Sequence, residues 1–311
     1  MINSLLKDPS VTEIILQNSD DLVIEKNGEL IGSKWDPSDY KAELINEIIQ
    51  ALPKAPTYEH PIASGVWREF RVQIINAPIV NKQPIIQLRR ISKDGDFRQL
   101  DPDQWSTSLE VIETLKEKFS IKRENFLIVG PTGCGKTTLL KALLSNYCQN
   151  ERVLCIEDTP ELPLVNEFSC NLKTYTSSTE EIKDVSLNDL VKASLRMRPD
   201  RIIMGEMRGE EASSFLLMLS TGHKGSGATL HAHTSQDALY RLEMLIQMGS
   251  SWSLETVRRL IRTSLDCIIV LDKDPTTGAR YIKEVSEIAG LEESGFLVHH
   301  LHNTNSEDLG Y

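Results

Sequence analysis

The chain has 311 residues, 40% hydrophobic and 25% charged, the composition of a folded protein with room for one large domain or two ordinary ones. With 34 Lys+Arg against 45 Asp+Glu its net charge is −11, which argues against the broad electropositive face that non-specific nucleic-acid binding needs. No apolar run approaches the roughly 20 residues that cross a bilayer, and MINSLLKDPS lacks the basic, apolar, small-residue order of a signal sequence, so a cytoplasmic location is expected.

In chain order, two β-like runs come first, VTEIILQ and LVIEKNGEL, then one helical pattern, DYKAELINEIIQAL, then two more β-like runs, EFRVQII and PIIQLRRI. They predict a small α+β domain over residues 1–92. The polar stretch SKDGDFRQLDPDQWSTS, broken by Gly and Pro and ending in a Ser/Thr cap signal, reads as a linker over 93–108. A second domain is expected over 109–311.

That domain opens with a helix (LEVIETLKEKF). There follow a strand (NFLIVG), a helix (KTTLLKALLSNYC), a strand (RVLCIE), a loop, a helix (LNDLVKASLRM), a strand (RIIMG), a helix (EEASSFLLMLST), a strand (GATLHA) and a further helix. Short apolar runs alternating with helical periodicity imply an α/β fold whose parallel sheet is covered on both faces. After LDCIIVLD the signals turn hairpin-like around PTTGARYIKEV, which predicts an antiparallel addition. There is no internal repeat and no low-complexity segment.

GPTGCGKTT fits the phosphate-loop spacing G-x-x-x-x-G-K-[ST], directly after a β run and directly before a helix. Gly130, Gly133 and Gly135 let the backbone curl so that successive N–H groups face a polyphosphate, and the helix N-terminus adds its positive end. Pro131, Thr132, Cys134 and Thr138 complete the candidate ATP-binding segment. Lys136 is placed to reach the β- and γ-phosphates and Thr137 to hold Mg²⁺. A glycine-rich turn without a ligand is the plain alternative, disfavoured by the flanking strand and helix.

Nucleotide hydrolysis also needs an acidic group for the metal's water shell and another to orient or deprotonate the attacking water. Glu157 and Asp158 follow VLCI, and Glu206 follows IIMG. The C-terminal ends of strands are where doubly wound sheets place their ligands. A solvated loop carboxylate is the alternative for either.

STGHKGSGATLHAH holds His223, His231 and His233, three of seven histidines. A zinc site would use His231 and His233, two apart on one strand face, but no third or fourth soft ligand lies nearby. The five cysteines, Cys134, Cys148, Cys155, Cys170 and Cys267, are scattered and never spaced C-x-x-C, so they suggest neither a disulfide framework nor a thiolate zinc site. An imidazole hydrogen-bonded to a γ-phosphate needs only one residue and the nucleotide already inferred. HHLH, His299 to His302, has no assigned role.

LLKDPSVTEI, FRV, LRRI, GPTGCGKTT, IEDTPEL, LRMRPDRIIMGEMRGEEA, TGHKGSGATLHA and ALYRLEMLI, in this order over nearly the whole chain, resemble the type II/IV secretion and pilus-assembly ATPases. The most similar branch is the CpaF-like one of tight-adherence pili. The absence of a tetracysteine insertion and of a long extra N-terminal domain favours that compact branch.

The resemblance implies a RecA-like ATPase domain preceded by a PAS-like domain that closes over ATP and Mg²⁺ in a homohexamer. It implies Glu157 as the catalytic carboxylate, Glu206 as the group serving Mg²⁺ and its water, and His223 and His231 as readers of the phosphate state. Where the family commonly has Asn this chain has His233, which is given no role. Arg71 in FRV and Arg89 in LRRI match N-domain arginines that approach the phosphates, and Arg196 and Arg198 are assigned to a neighbouring subunit. A surface ion pair is the alternative for each.

The function so implied is an ATPase motor, peripheral at the inner membrane, driving pilus assembly or protein secretion through a membrane-embedded platform protein. A conjugative or effector type IV secretion ATPase and a pilus retraction motor are the alternatives within the class. A nucleotide-binding regulatory scaffold is the alternative outside it. A DNA-translocating motor is disfavoured by the acidic balance and the lack of an aromatic-basic groove.

Overall fold

A computed structural model describes residues 2–17, 21–26, 29–34, 41–80, 84–91, 100–177, 183–293 and 295–304. Positions 39–40 of the expected first helix and 93–99 of the expected linker lie outside them. The chain divides into two compact units, Met1–Gly95 with Tyr175–Asp184, and Asp96–Thr174 with Val185–Tyr311.

The first unit runs α1 (Ile2–Lys7), β1 (Val11–Leu16), β2 (Asp21–Lys26), β3 (Glu29–Lys34), α2 (Lys41–Ala51), β4 (Ile62–Trp67), β5 (Phe70–Ile75) and β6 (Ile85–Arg90). All pairings are antiparallel, in the order β3-β2-β1-β6-β5-β4. Period-two alternation puts Ile14, Leu16, Val72, Ile74, Ile86 and Leu88 on one face, where they pack with Leu44, Ile48 and Leu52 of and just after α2 and with Ile2 and Leu6 of α1.

Two features of this unit escape the sequence pattern. The run LVIEKNGEL is two strands, β2 and β3, paired with each other. Strand β4 inverts the usual pattern: Ala63 faces the core while Ile62 and Val66 are exposed. Of the inward positions only Trp67, at the strand's end, is large; at Gly65 a Cβ would come within 2.8 Å of the Leu52 side chain and 2.9 Å of Pro53.

The second unit runs α3 (Leu109–Lys116, continued by a wider turn over Glu117–Ile121), β7 (Phe126–Val129), α4 (Lys136–Tyr147), β8 (Val153–Glu157) and β9 (Cys170–Lys173). It continues with α5 (Leu187–Ser194), β10 (Arg201–Met204), α6 (Glu211–Ser220), β11 (Gly227–Leu230) and α7 (Ser235–Gly249). It closes with α8 (Leu254–Ser264), β12 (Cys267–Lys273), β13 (Arg280–Glu292) and β14 (Gly295–Asn303). The sheet order is β14-β13-β12-β7-β11-β10-β8-β9. From β9 to β12 neighbours are parallel, and β13 and β14 add antiparallel at one edge, so the sheet is mixed.

Helices cover both faces. One core joins Leu127, Val129, Ile202 and Met204 to Phe215, Leu219, Leu242, Ile246 and Ile261. The other joins Phe126, Ile128, Cys155 and Ile203 to Val111, Leu115, Leu140 and Leu144. Ser108 caps α3 by accepting from Val111 N–H. Strand β9 lies in what the sequence presents as loop, because CNLK is a half-buried edge strand with little apolar signal.

Close packing at the sheet's centre is testable at Gly227, where an added Cβ would meet the Phe126 ring at 2.3 Å. Gly227→Ala should destabilise this unit by about 1–3 kcal/mol, as overpacking of a filled core does. Urea unfolding followed by circular dichroism measures it, and an unchanged midpoint would contradict the packing described.

Candidate active site

The phosphate loop follows β7, the strand between β11 and β12. Its glycines sit where other residues are strained, with φ of 154° at Gly130, 79° at Gly133 and 99° at Gly135. A Cβ on Gly130 would lie 2.4 Å from the Leu271 carbonyl oxygen and 2.5 Å from Cys134 Sγ, so only glycine fits there. Gly135 caps α4 without a side-chain hydrogen bond, at the positive end of that helix. Thr137 and Thr138 stand half-buried in that first turn, while Thr132 and Gly133 are exposed on the loop. The loop and the helix start together have the curled, glycine-bearing backbone that polyphosphate binding requires.

Lys136 is buried, and its Nζ donates to the carbonyls of Gly130 and Pro131, 2.9 Å each. It also stands 3.4 Å from Nδ1 of His231, just beyond the end of β11. On the far side of that ring Nε2 is 2.9 Å from Oε1 of Glu206, beyond the end of β10, and the other Glu206 oxygen pairs with Arg208. The consistent tautomer carries its proton on Nε2, donating to Glu206 and leaving Nδ1 to accept from Lys136. The result is a chain of contacts from the phosphate loop through His231 and Glu206 to Arg208.

Parallel pairing explains the convergence. Registering Leu230 with Val129 and Ala228 with Met204 brings the C-terminal ends of β7, β11 and β10 together. Thr229 Oγ donates to the Gly205 carbonyl at 2.5 Å, and Met207 N–H donates to the Thr229 carbonyl at 3.0 Å, which ties Glu206's turn to His231's strand. Both Arg208 and Gly209 amides donate to Glu211 Oε1, at 2.6 and 2.9 Å.

Glu157 ends β8, the next strand along, and is buried. Its carboxylate accepts from the amides of Glu161 and Leu162 at 3.1 and 3.2 Å, folding it toward its own loop. Gly205 makes room for it: a Cβ there would sit 2.8 Å from Glu157 Cγ. Glu157 and Glu206 are therefore neighbours across one glycine, held in different ways.

Within the second unit four further candidates take no part in this chain of contacts. His223 is hydrogen-bonded near the end of α6, 3.2 Å from Thr221 Oγ and 3.3 Å from the Met218 carbonyl. His233 is exposed, its carbonyl accepting from Lys283. Arg196 and Arg198 are exposed beyond α5, with no hydrogen-bonded or ion-paired side-chain partner among the described residues. In the first unit Arg71 on β5 and Arg89 on β6 are directly paired across strands, on the sheet face opposite the helices. Arg89 has Glu13 of β1 as its other cross-strand neighbour, an opposite charge beside the like-charge pair. The adjacent Arg90 is structural: it pairs with Glu69 and donates to the carbonyls of Leu6, Asp8 and Val11. Among the described residues no three His, Cys, Asp or Glu side chains form a metal-binding group.

Sequence reasoning overlooked Arg208. Its signal was present in GEMRG, a basic residue two positions beyond the strand-end carboxylate.

A phosphate loop at the centre of a parallel sheet, with a carboxylate and a histidine at adjacent strand ends, defines a phosphate-loop nucleotide-binding protein. Residues 61–288 match the family described as Type II/IV secretion system protein, and the chain belongs to it. The conjugal transfer protein TrbB of Rhizobium radiobacter is 30% identical over 95% of this chain and 89% of its own. The type IV secretion system protein VirB11 of Bartonella quintana is 37% identical over 86% of each. Among solved structures the Legionella pneumophila ATPase DotB has a TM-score of 0.62 at 20% identity, over 94% of this chain and 79% of its own. The pilus retraction motor PilT with bound ADP has 0.59 at 19%, over 99% and 83%.

The solved structures show the shared α/β fold, and the family match with the two relatives shows a type II/IV secretion system protein. They hold at family level: the relatives are conjugal-transfer and type IV secretion proteins, not specifically tight-adherence ones. No helix among the described residues is long and apolar enough to cross a membrane.

Titration tests the charge chain. Burial, then the Lys136 charge, hold His231 below its ordinary 6.5, against the opposing pull of Glu206. Burial raises Glu206, but the Arg208 hydrogen bond and charge outweigh it and keep the carboxyl below its ordinary 4.5. Both folded values are depressed, so the stabilisation is complete above the unfolded values and lost as pH falls through the folded ones. Below pH 6.5 the wild-type melting temperature should therefore drop more steeply than that of His231→Gln. Equal slopes would mean that His231 is not the titrating group.

Proposed function

We propose that this chain is an ATP hydrolase whose turnover drives a secretion or pilus platform in the inner membrane, working from the cytoplasmic side as a homohexameric ring. The observation that carries this reading is the contact chain Lys136–His231–Glu206 at the mouth of the phosphate loop. It links the cation that meets the β- and γ-phosphates to a carboxylate at a strand end, through a ring able to sense whether the γ-phosphate is there.

In this reading residues 109–311 are a RecA-like ATPase domain, 1–92 a PAS-like domain and 93–108 the linker. The loop from Gly130 to Thr138 binds ATP. Thr137 and Glu206 would hold Mg²⁺, which when bound supplies charge that neutralises the phosphate oxygens. Glu157 takes the role of general base, released from the Glu161 and Leu162 amides. His231 and His223 respond to the phosphate state, Arg71 and Arg89 serve the transition state, and Arg196 and Arg198 face a neighbouring subunit. A tight-adherence pilus motor is the first reading of the branch, carried by the order of its sequence motifs. The names of the relatives at 30% and 37% identity favour a second reading, a conjugative or effector type IV secretion motor.

Lys136→Ala should lower ATP turnover by about 10²-fold or more, by removing a charge aimed at the transferring phosphoryl group. Glu157→Gln should bind ATP normally and lose turnover, since the amide keeps the shape but accepts no proton. Near-normal hydrolysis in Lys136→Ala would end the site assignment, and a turnover defect confined to Glu206→Gln would exchange the roles of the two carboxylates.

Ring assembly predicts that activity per chain rises with protein concentration, following the population of assembled rings. Full activity in a monomer, measured by turnover alongside light scattering, would refute it.

A further inference from the structure

The β12–β13 hairpin forms one wall of the phosphate loop. At one end of the loop the Leu271 carbonyl of β12 closes on Gly130. At the other, Arg280, the first residue of β13, lies over Gly135: a Cβ built there would come 3.1 Å from Arg280 Cδ and 3.6 Å from its Nη1. The Trp105 ring backs the same glycine at 3.4 Å, and its carbonyl accepts from Ile282 N–H at 3.2 Å, anchoring β13 two residues beyond Arg280.

The turn that delivers Arg280 is tightly held. Buried Asp274 accepts from the amides of Thr276 and Thr277 at 2.8 and 2.5 Å and from the Thr277 hydroxyl at 2.9 Å. Its own amide donates to the Ala279 carbonyl at 2.8 Å, and Gly278 N–H donates to the Asp274 carbonyl at 2.9 Å. Asp274 is thereby committed to the turn, and Asp272 faces Lys283 at 3.8 Å.

Arg280 itself is exposed and has no hydrogen-bonded or ion-paired side-chain partner among the described residues. A guanidinium resting against the N-terminal end of a helix meets the positive end of the helix dipole, an unfavourable placement until an anion arrives. Gly135 is the cap of α4, at that positive end.

We propose that Arg280 is a further nucleotide-binding residue, its guanidinium taking part of the negative charge of a polyphosphate seated on the loop. This rests on the nucleotide reading of the loop and adds to it a cation from outside the loop motif. Arg280 acts on the phosphates rather than the base, because it stands at the loop and helix start where phosphate charge collects. Planar and always charged, it suits the phosphate oxygens.

The test is calorimetric binding of ADP and of inorganic pyrophosphate to the full-length protein, in wild type, Arg280→Ala, Arg280→Gln and Lys273→Ala. Arg280→Gln keeps much of the stem over Gly135, and Lys273, the cross-strand neighbour of Arg280, controls for general loss of hairpin charge. Both Arg280 variants should bind ADP and pyrophosphate about tenfold more weakly, the scale of one exposed charge near a phosphate. Lys273→Ala should stay within about twofold, and ligand-free melting should be unchanged throughout.

Wild-type affinity in both Arg280 variants would overturn the inference and leave the loop reading intact. Weakened ADP with unchanged pyrophosphate would overturn the phosphate assignment in favour of a base or ribose contact, and an equal loss in Lys273→Ala would reduce the effect to the hairpin's overall charge. Failure of the wild type to bind either ligand would remove the loop reading, and the inference with it.

Discussion

A buried ammonium at the head of a helix is the constraint around which the second unit is arranged. Removing a charge from water costs several kcal/mol unless hydrogen bonds replace its hydration. Lys136 receives that replacement from the loop's own carbonyls at Gly130 and Pro131, and it meets the His231 ring beyond them. The loop can supply two carbonyls at once only because its glycines accept positive φ. Its curl and the lysine's solvation are thus one structural solution, and a polyphosphate would compete for the same cation.

The sheet supplies the remaining charge balance. Parallel strands end at the same edge, so groups far apart in the chain meet there without any long loop having to be ordered. His231 couples the lysine on one side to Glu206 on the other, and Arg208 closes the series. Glu157, one strand away, is satisfied separately by the amides of Glu161 and Leu162. Gly205 precedes Glu206 in the chain, and its missing side chain leaves the room that Glu157 occupies. Two acids in different environments are what a division into metal-serving and proton-accepting roles requires.

The first unit shows how packing can obscure a pattern. Its strands β5 and β6 read plainly because burial alternates along their apolar positions, and β1 reads from its run of β-branched and apolar residues. Strand β4 turns Ile62 and Val66 outward and Ala63 and Gly65 inward, with Leu52 and Pro53 close against Gly65, and of its large residues buries only Trp67, at its end, so the apolar pattern of its first five residues points to the wrong face. Strand β9 is a partly buried edge and lacks the continuous apolar run that marks β7, β8 and β10. Two neighbouring arginines diverge in the same way: Arg90 is absorbed into backbone carbonyls at the start of the chain, while Arg89 stands exposed beside Arg71.

The amino-acid sequence by itself determined the phosphate loop, the alternation of strands and helices in the second unit apart from β9 and the separate helix α8, the antiparallel addition at its end, and Glu206 and His231 as strand-end groups. These follow from local physics: glycine conformations, apolar periodicity and the step from strand to helix each act within a few residues. Only the tertiary structure decided that His231 stands between Lys136 and Glu206, that Glu157 folds back on its own loop, that Arg208 completes the charge series and that Arg280 lies over Gly135. Lys136 and His231 are 95 positions apart, and no local pattern carries a distance between such groups. Sheet register brings them together, and register is set by the packing of whole elements.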